Sequence, residues 1–233
     1  MRYILSLGLF IILSGWLCKE KTINKEIVDY EKYTDDNILT FTDSLRIGEK
    51  CRNKLVIKHI LEEDSCYVDI FFYEKADNVW LQLQKFNFDA PSIIDISNTI
   101  VQDYNNDGFG DFTYHSAMAA RGANEVRKLF VYSPETKRLV YIHNSEHYPN
   151  MEYNEQLDCI DAFAVYGGTT TSFLKIKGDS LQQFAKIDLW GNQRIVAEID
   201  ENGKETILKE DSISDGPYIR YANYKTLEEY TEN

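Results

Sequence analysis

Ile100-Val101-Gln102-Asp103-Tyr104-Asn105-Asn106-Asp107-Gly108-Phe109-Gly110-Asp111-Phe112-Thr113-Tyr114 sets oxygen-bearing side chains at alternate positions between two β-prone flanks. Asp103, Asn105 and Asp107 alternate, Gly108 stands where the chain must turn sharply, and Asp111 adds a carboxylate three residues later. Ca²⁺ is a hard cation that takes about six to eight oxygens. The spacing therefore predicts Asp103, Asn105 and Asp107 as side-chain ligands, Phe109 as a carbonyl ligand, and Asp111 as a ligand directly or through water. A helix-loop-helix hand would need a glutamate at the twelfth position, where Tyr114 stands. Ile100-Val101 and Phe112-Thr113-Tyr114 are β-branched and aromatic, so the loop is expected between two strands. The competing reading is an Asp/Asn/Gly-rich turn that holds no metal.

Outward from this loop the chain alternates β-rich runs with turn signals. Ile38-Leu39-Thr40-Phe41 suits a first strand, and Lys54–Ile60 with Tyr67–Tyr73 a hairpin about a polar turn. Val79–Phe86 adds another strand, which Pro91 ends. Val126–Tyr132 and Lys137–His143 flank Ser133-Pro134-Glu135-Thr136, a type I turn sequence. Cys159–Tyr166, Ser172–Ile176, Ala185–Trp190, Arg194–Ile199 and Glu205–Lys209 continue the pattern, with turns at Gly167–Thr171 and Asp200–Lys204. Asn144–Glu155 looks like a polar connection, and Thr226–Tyr230 like a helical turn. Many short strands with almost no helical period predict an all-β fold, an antiparallel β-sandwich or a barrel-like meander. No Pro/Gly/Ser linker divides residues 37–233, so one β-rich domain is expected, and no propeller-length repeat is visible.

The N-terminus predicts export. A short basic start at Arg2 precedes an apolar run from Ile4 to Leu17, too short for a stable span, and then Cys18-Lys19-Glu20-Lys21. Residues 1–17 read as a signal peptide and Cys18 as a lipidation site, although Trp16 and Leu17 stand where a lipobox carries small residues. Residues 18–36 are charged and aperiodic and read as a tether. The expected location is the periplasm or the cell surface, on a lipid anchor.

Acidic residues outnumber basic ones, 38 to 25, for a net charge of −13. That balance argues against a nucleic-acid partner. Cys51, Cys66 and Cys159 allow at most one bridge and have no C-x-x-C spacing, which removes a zinc ribbon or thioredoxin-like motif. No Gly-x-Ser-x-Gly or His-Glu-x-x-His occurs, and His143 and His147 have zinc-ligand spacing only on a helix. No catalytic constellation is legible, and a non-enzymatic role is expected. The rival is a hydrolase of envelope polymers with Asp111 or His115 as base.

The loop, the Gly122-Ala123-Asn124 stretch and the hairpin Lys128-Leu129-Phe130-Val131-Tyr132-Ser133-Pro134-Glu135-Thr136-Lys137-Arg138-Leu139 together resemble a group of bacterial exported lipoproteins. That group includes immunity proteins against peptidoglycan-cleaving effectors and is similar in fold to PliI-type lysozyme inhibitors. The loop alone is similar to calcium loops of FG-GAP repeats, which would fit a surface adhesion or assembly protein. The resemblance spans residues 100–168 and implies Ca²⁺ at Asp103, Asn105, Asp107, Phe109 and Asp111. The expected role is a monomeric binding, inhibitor or immunity module whose partner is a protein, such as a peptidoglycan hydrolase, or a glycan. The chain after Cys18 lacks the Ser-Gly-x-x-Tyr string by which lysozyme inhibitors often enter the enzyme cleft. Ala119–Glu125 and Gly167–Thr171 are the candidate contact loops.

Overall fold

The computed structural model describes residues 37–62, 65–91, 94–214 and 218–230. The signal peptide and tether expected over 1–36, with Cys18, lie outside these residues. Three open antiparallel meanders and a short ribbon account for the strands, and no sheet among the described residues closes into a barrel. The first sheet runs β1 (Ile38–Asp43), β2 (Asn53–Leu61), β3 (Cys66–Ala76) and β4 (Val79–Asp89). The second runs β5 (Ile100–Gln102), β6 (Asp111–Ala119), β7 (Asn124–Ser133) and β8 (Arg138–Ile142). The third runs β9 (Glu152–Asn154), β10 (Cys159–Val165), β11 (Thr169–Lys177), β12 (Ser180–Trp190), β13 (Gln193–Ile199) and β14 (Glu205–Ser212). β15 (Tyr221–Asn223) and β16 (Glu228–Glu229) pair as the ribbon.

The layers follow from which face each apolar row occupies. Side chains alternate along a strand, so one strand can serve two cores. Phe112 and Tyr114 on β6, with Phe130 and Tyr132 on β7, pack against Phe41, Leu55, Ile57, Val68, Ile70 and Phe72 of the first sheet. Leu129, Val131 and Ile142 point the other way and meet Ile160, Leu174 and Leu181 of the third. The second sheet is thus the middle layer of a β-sandwich stack. Where the layers overlap, Leu129–Tyr132 of β7 is a continuous apolar run, as expected of a strand covered on both faces. Phe112 and Phe130 lie directly opposite in the ladder and stack with centroids 4.7 Å apart. The third sheet's outer face holds Phe173, Ala185, Ile187, Leu189 and Val196 under Tyr221 and Tyr224.

Three local expectations need correction. Thr226–Tyr230 is not helical: Leu227 adopts φ 60° and Glu228–Glu229 pair with Tyr221–Asn223, because Tyr221 and Tyr224 are drawn onto the third sheet's apolar face. The turn before β11 is shorter than Gly167–Thr171, since Thr169–Thr171 already pair with both β10 and β12. Asn144–Glu155 contains a 3₁₀ turn at Ser145–His147 and the strand β9, with Ser145, Met151 and Asn154 buried. Among the described residues no helix is long and apolar enough to cross a membrane.

The first and second layers are also tied through their backbones. Gly48, between β1 and β2, donates to the Gly110 carbonyl at 2.8 Å and accepts from the Gly110 amide at 3.1 Å. Asp43 organises this segment by accepting the amides of Leu45, Arg46 and Ile47. A Cβ on Gly110 would lie 2.0 Å from the Arg46 carbonyl oxygen, so the two chains approach this closely only through glycine. Gly110→Ala is expected to lower unfolding free energy by about 3 kcal/mol, measured by urea titration, without a change of slope.

His59 continues the inward row of Leu55 and Ile57 on β2 and is fully buried, with the Pro91 backbone near its ring but no well-formed hydrogen bond to either ring nitrogen among the described residues. Burial lowers its pKa from 6.5, so the folded ring stays neutral where the unfolded chain takes up a proton. The stability it supports is present above 6.5 and is lost as pH falls through the lowered folded value. Between about pH 7 and about pH 5, the wild type should lose stability relative to His59→Phe. Urea titrations of both proteins at each pH read that difference.

Candidate metal centre

The Asp103–Asp111 loop joins β5 to β6, which pair through Ile100–Thr113, Val101–Phe112 and Gln102–Asp111. The predicted strand-loop-strand arrangement is the one found. Gly108 has φ +87° and Asn106 φ +58°, which fold the tip back on itself. Asp103 lies at the centre of that fold. Its Oδ1 accepts the amides of Asn105 and Asp107 at 3.3 and 3.2 Å, and its Oδ2 accepts that of Gly108 at 2.7 Å. Asp107 accepts the Phe109 amide and the Asn105 side-chain amide, both at 2.9 Å. Asn105 Oδ1 accepts the Asp107 amide at 3.3 Å.

Asp111 occupies a different environment from the other two carboxylates. It is wholly buried, and its oxygens accept the amides of Tyr104 at 2.9 Å and Tyr132 at 2.8 Å. One carboxylate thereby ties the start of the loop to β7. Burial pushes its pKa up to about 7, against the pull of the two amides, and the carboxylates of Asp107 and Asp103 push further in the same direction. None of Asp103, Asp107 and Asp111 forms an ion pair with a basic side chain among the described residues. Three acids thus share one loop with no basic side chain among the described residues to offset the charge they carry.

The donor set suits a hard cation in kind: carboxylate, amide and carbonyl oxygens, with no thiol or imidazole. A carboxylate that accepts amides keeps lone pairs for a metal, since two oxygens offer about four acceptor sites. The side chains are not drawn together around one point, however. No group of three or more His, Cys, Asp or Glu residues at metal-holding separation occurs among the described residues. Phe109 turns its ring inward onto Tyr132, with centroids 5.4 Å apart, which leaves its carbonyl for the loop.

Tyr104 and the Gly48–Gly110 bridge are the parts of the site that sequence reasoning missed. Tyr104 is buried, and its hydroxyl lies 3.1 Å from Thr113 Oγ1 on β6. A large aromatic residue between two ligand positions was the available signal, because a residue whose backbone faces an exposed tip gains from burying its ring. The two acid–base candidates of the hydrolase reading are engaged elsewhere: Asp111 with backbone amides, and His115 Nε2 with the Ala117 carbonyl at 2.9 Å. His143 stands just past β8 and His147 in a 3₁₀ turn, so the spacing that needs a helix is not realised. Cys66 and Cys159 carry free thiols, and burial raises that of Cys159 to about 12.

The two candidate contact loops are neighbours. Ala120–Gly122 forms a 3₁₀ turn in which Arg121 takes φ 58°, and the buried Asn124 behind it pairs with both backbone groups of Val165 at 2.9 and 3.2 Å. Val165 ends β10 immediately before the Tyr166–Gly168 turn.

No protein-family model matches this chain, and no curated protein matches it. A solved structure titled "Structure of a Xanthomonas Type IV Secretion System related protein" is similar at 12% identity and a TM-score of 0.42, covering 75% of this chain and 90% of that one.

Proposed function

We propose that this chain is an exported, lipid-anchored, non-enzymatic binding protein of the cell envelope, an inhibitor or immunity module, whose Asp103–Asp111 loop takes up Ca²⁺. Asp103, Asn105 and Asp107 would hold the ion through side chains, Phe109 through its carbonyl, and Asp111 directly or through water. When bound, the ion supplies positive charge that no basic side chain offers at this loop. The observation that carries the reading is Asp111: a buried carboxylate bridging the loop to β7, with two further acids in the same loop and no cationic partner among the described residues. Asp111 fixes where the loop leaves β5, and Gly110 fixes its distance from the first sheet. A loop that is already ordered meets less entropic cost when a partner docks. Against Asp111 or His115 as a hydrolytic base stands the engagement of both with the protein's own backbone.

Thermal unfolding in EDTA and in excess CaCl₂ tests the metal. Saturating Ca²⁺ is expected to raise the melting temperature by about 5 to 10 °C. Asp107→Ala should remove that response without unfolding the chain, since Asp107 is exposed. A melting temperature indifferent to Ca²⁺ and to EDTA would sink the proposal. The anchor is tested separately, by labelling cells with palmitate: the wild type should take up label and Cys18→Ser should take up none.

A further inference from the structure

We propose a second binding site, a cleft on the third sheet that accepts a neutral sugar unit of a glycan. It rests on the binding-protein reading above and not on calcium. The cleft encloses about 290 Å³. Its floor follows from the layering. At one end of β10–β12, Ile160, Leu174 and Leu181 are covered by the second sheet. Towards the other end of the same face the row changes to Ala164, Thr170, Ser172 and Lys186, and the covering sheet gives way to the segment His147–Pro149. The small side chain of Ala164 leaves the space, and the polar row supplies hydrogen-bonding groups.

These groups are already held in place. Thr170 Oγ1 donates to Asp188 at 2.6 Å, and Gln183 Nε2 donates to Ser172 Oγ at 2.9 Å. Lys186 lies between two carboxylates, 3.1 Å from Asp188 and 2.8 Å from Glu205. One ammonium against two carboxylates leaves the floor with no positive charge to spare, so an anionic ligand is disfavoured. A polyol offers donors and acceptors to this row without asking for charge. The wall is fixed as well: Phe163 donates to the Pro149 carbonyl at 3.1 Å, and Asn150 ties Phe163 to the Ala123 carbonyl. A site set before binding loses little entropy on binding.

The rim supplies the second, independent feature. Tyr166 lines the cleft and is 62% exposed, and Trp190, 67% exposed, stands next along the strand from Asp188 of the lining. Trp190 shares the face of Lys186 and Asp188 by strand alternation, and its indole packs against the Gly167–Gly168 turn. Gly168 permits that: a Cβ there would fall 2.8 Å from the Trp190 ring. An exposed aromatic face beside ordered donors and acceptors fits a pyranose, whose apolar C–H face and hydroxyl edge need different partners at once.

Calorimetric titration of the full-length protein with cellobiose, N,N′-diacetylchitobiose and the anionic digalacturonate, each in EDTA and in CaCl₂, tests the assignment. Saturable binding of at least one neutral disaccharide is expected in both buffers. It should weaken about tenfold in Trp190→Ala and be unchanged in Trp80→Ala on the first sheet. No saturable heat with either neutral disaccharide, equal affinity in Trp190→Ala, or preference for digalacturonate would overturn it. An unchanged melting temperature for Trp190→Ala separates lost contact from lost fold. Sugar binding that persists in EDTA upholds the cleft even if the melting experiment removes calcium, and its loss with the calcium response intact removes the cleft alone.

Discussion

Burial of the second sheet on both faces is the constraint from which the rest of the architecture follows. A strand with one wet face can alternate apolar and polar residues, but β7 is apolar in both directions over Leu129–Tyr132. Phe130 serves the core shared with the first sheet, while Leu129 beside it serves the core shared with the third. A slip of one residue in this ladder would exchange the two cores' side chains. The buried polar groups of β6 and β7 are tied. Arg127 spans Thr113 and the Asn98 carbonyl and pairs with Glu125 at 2.8 Å, and Thr113 meets the Tyr104 hydroxyl. The acid-rich loop is attached to this layer, so the position of Asp111 is inherited from a sheet buried between two others.

Much of this was legible in the sequence. The alternation of Asp103, Asn105 and Asp107 with Gly108 located the loop, and the β-branched flanks placed it between strands. The hairpin turns about Ser133-Pro134 and Asp200–Lys204 appear where their residue types put them. What escaped was what depends on distant partners. Thr226–Tyr230 carries a locally helix-compatible pattern, and the apolar face of a sheet far back in the chain overrides it. Gly110 looked like an ordinary loop glycine, because the Arg46 carbonyl that demands it lies more than sixty residues away. The layer order was equally hidden, since a buried central strand and a buried outer strand differ only in what covers the second face.

The two proposed sites divide the molecule by chemistry. The loop between β5 and β6 concentrates carboxylates without counter-charge, whereas the cleft on β10–β12 sets an ammonium between two carboxylates and has exposed aromatic rings near its edge. They are linked through the second sheet, whose β7 receives Asp111 at Tyr132 and grips β10 through Asn124. Both sites therefore share one rigid support.

The closing ribbon bears on how the chain reaches its final form. Tyr221 and Tyr224 complete the third core, and Arg220 reaches back to the buried Asp161 and to Glu152, while Tyr230 also hydrogen-bonds Asp161. These residues emerge after every strand they cover. During synthesis, the outer face of β10–β13 stays wet until the last segment arrives, and until then that apolar surface is open to misassociation.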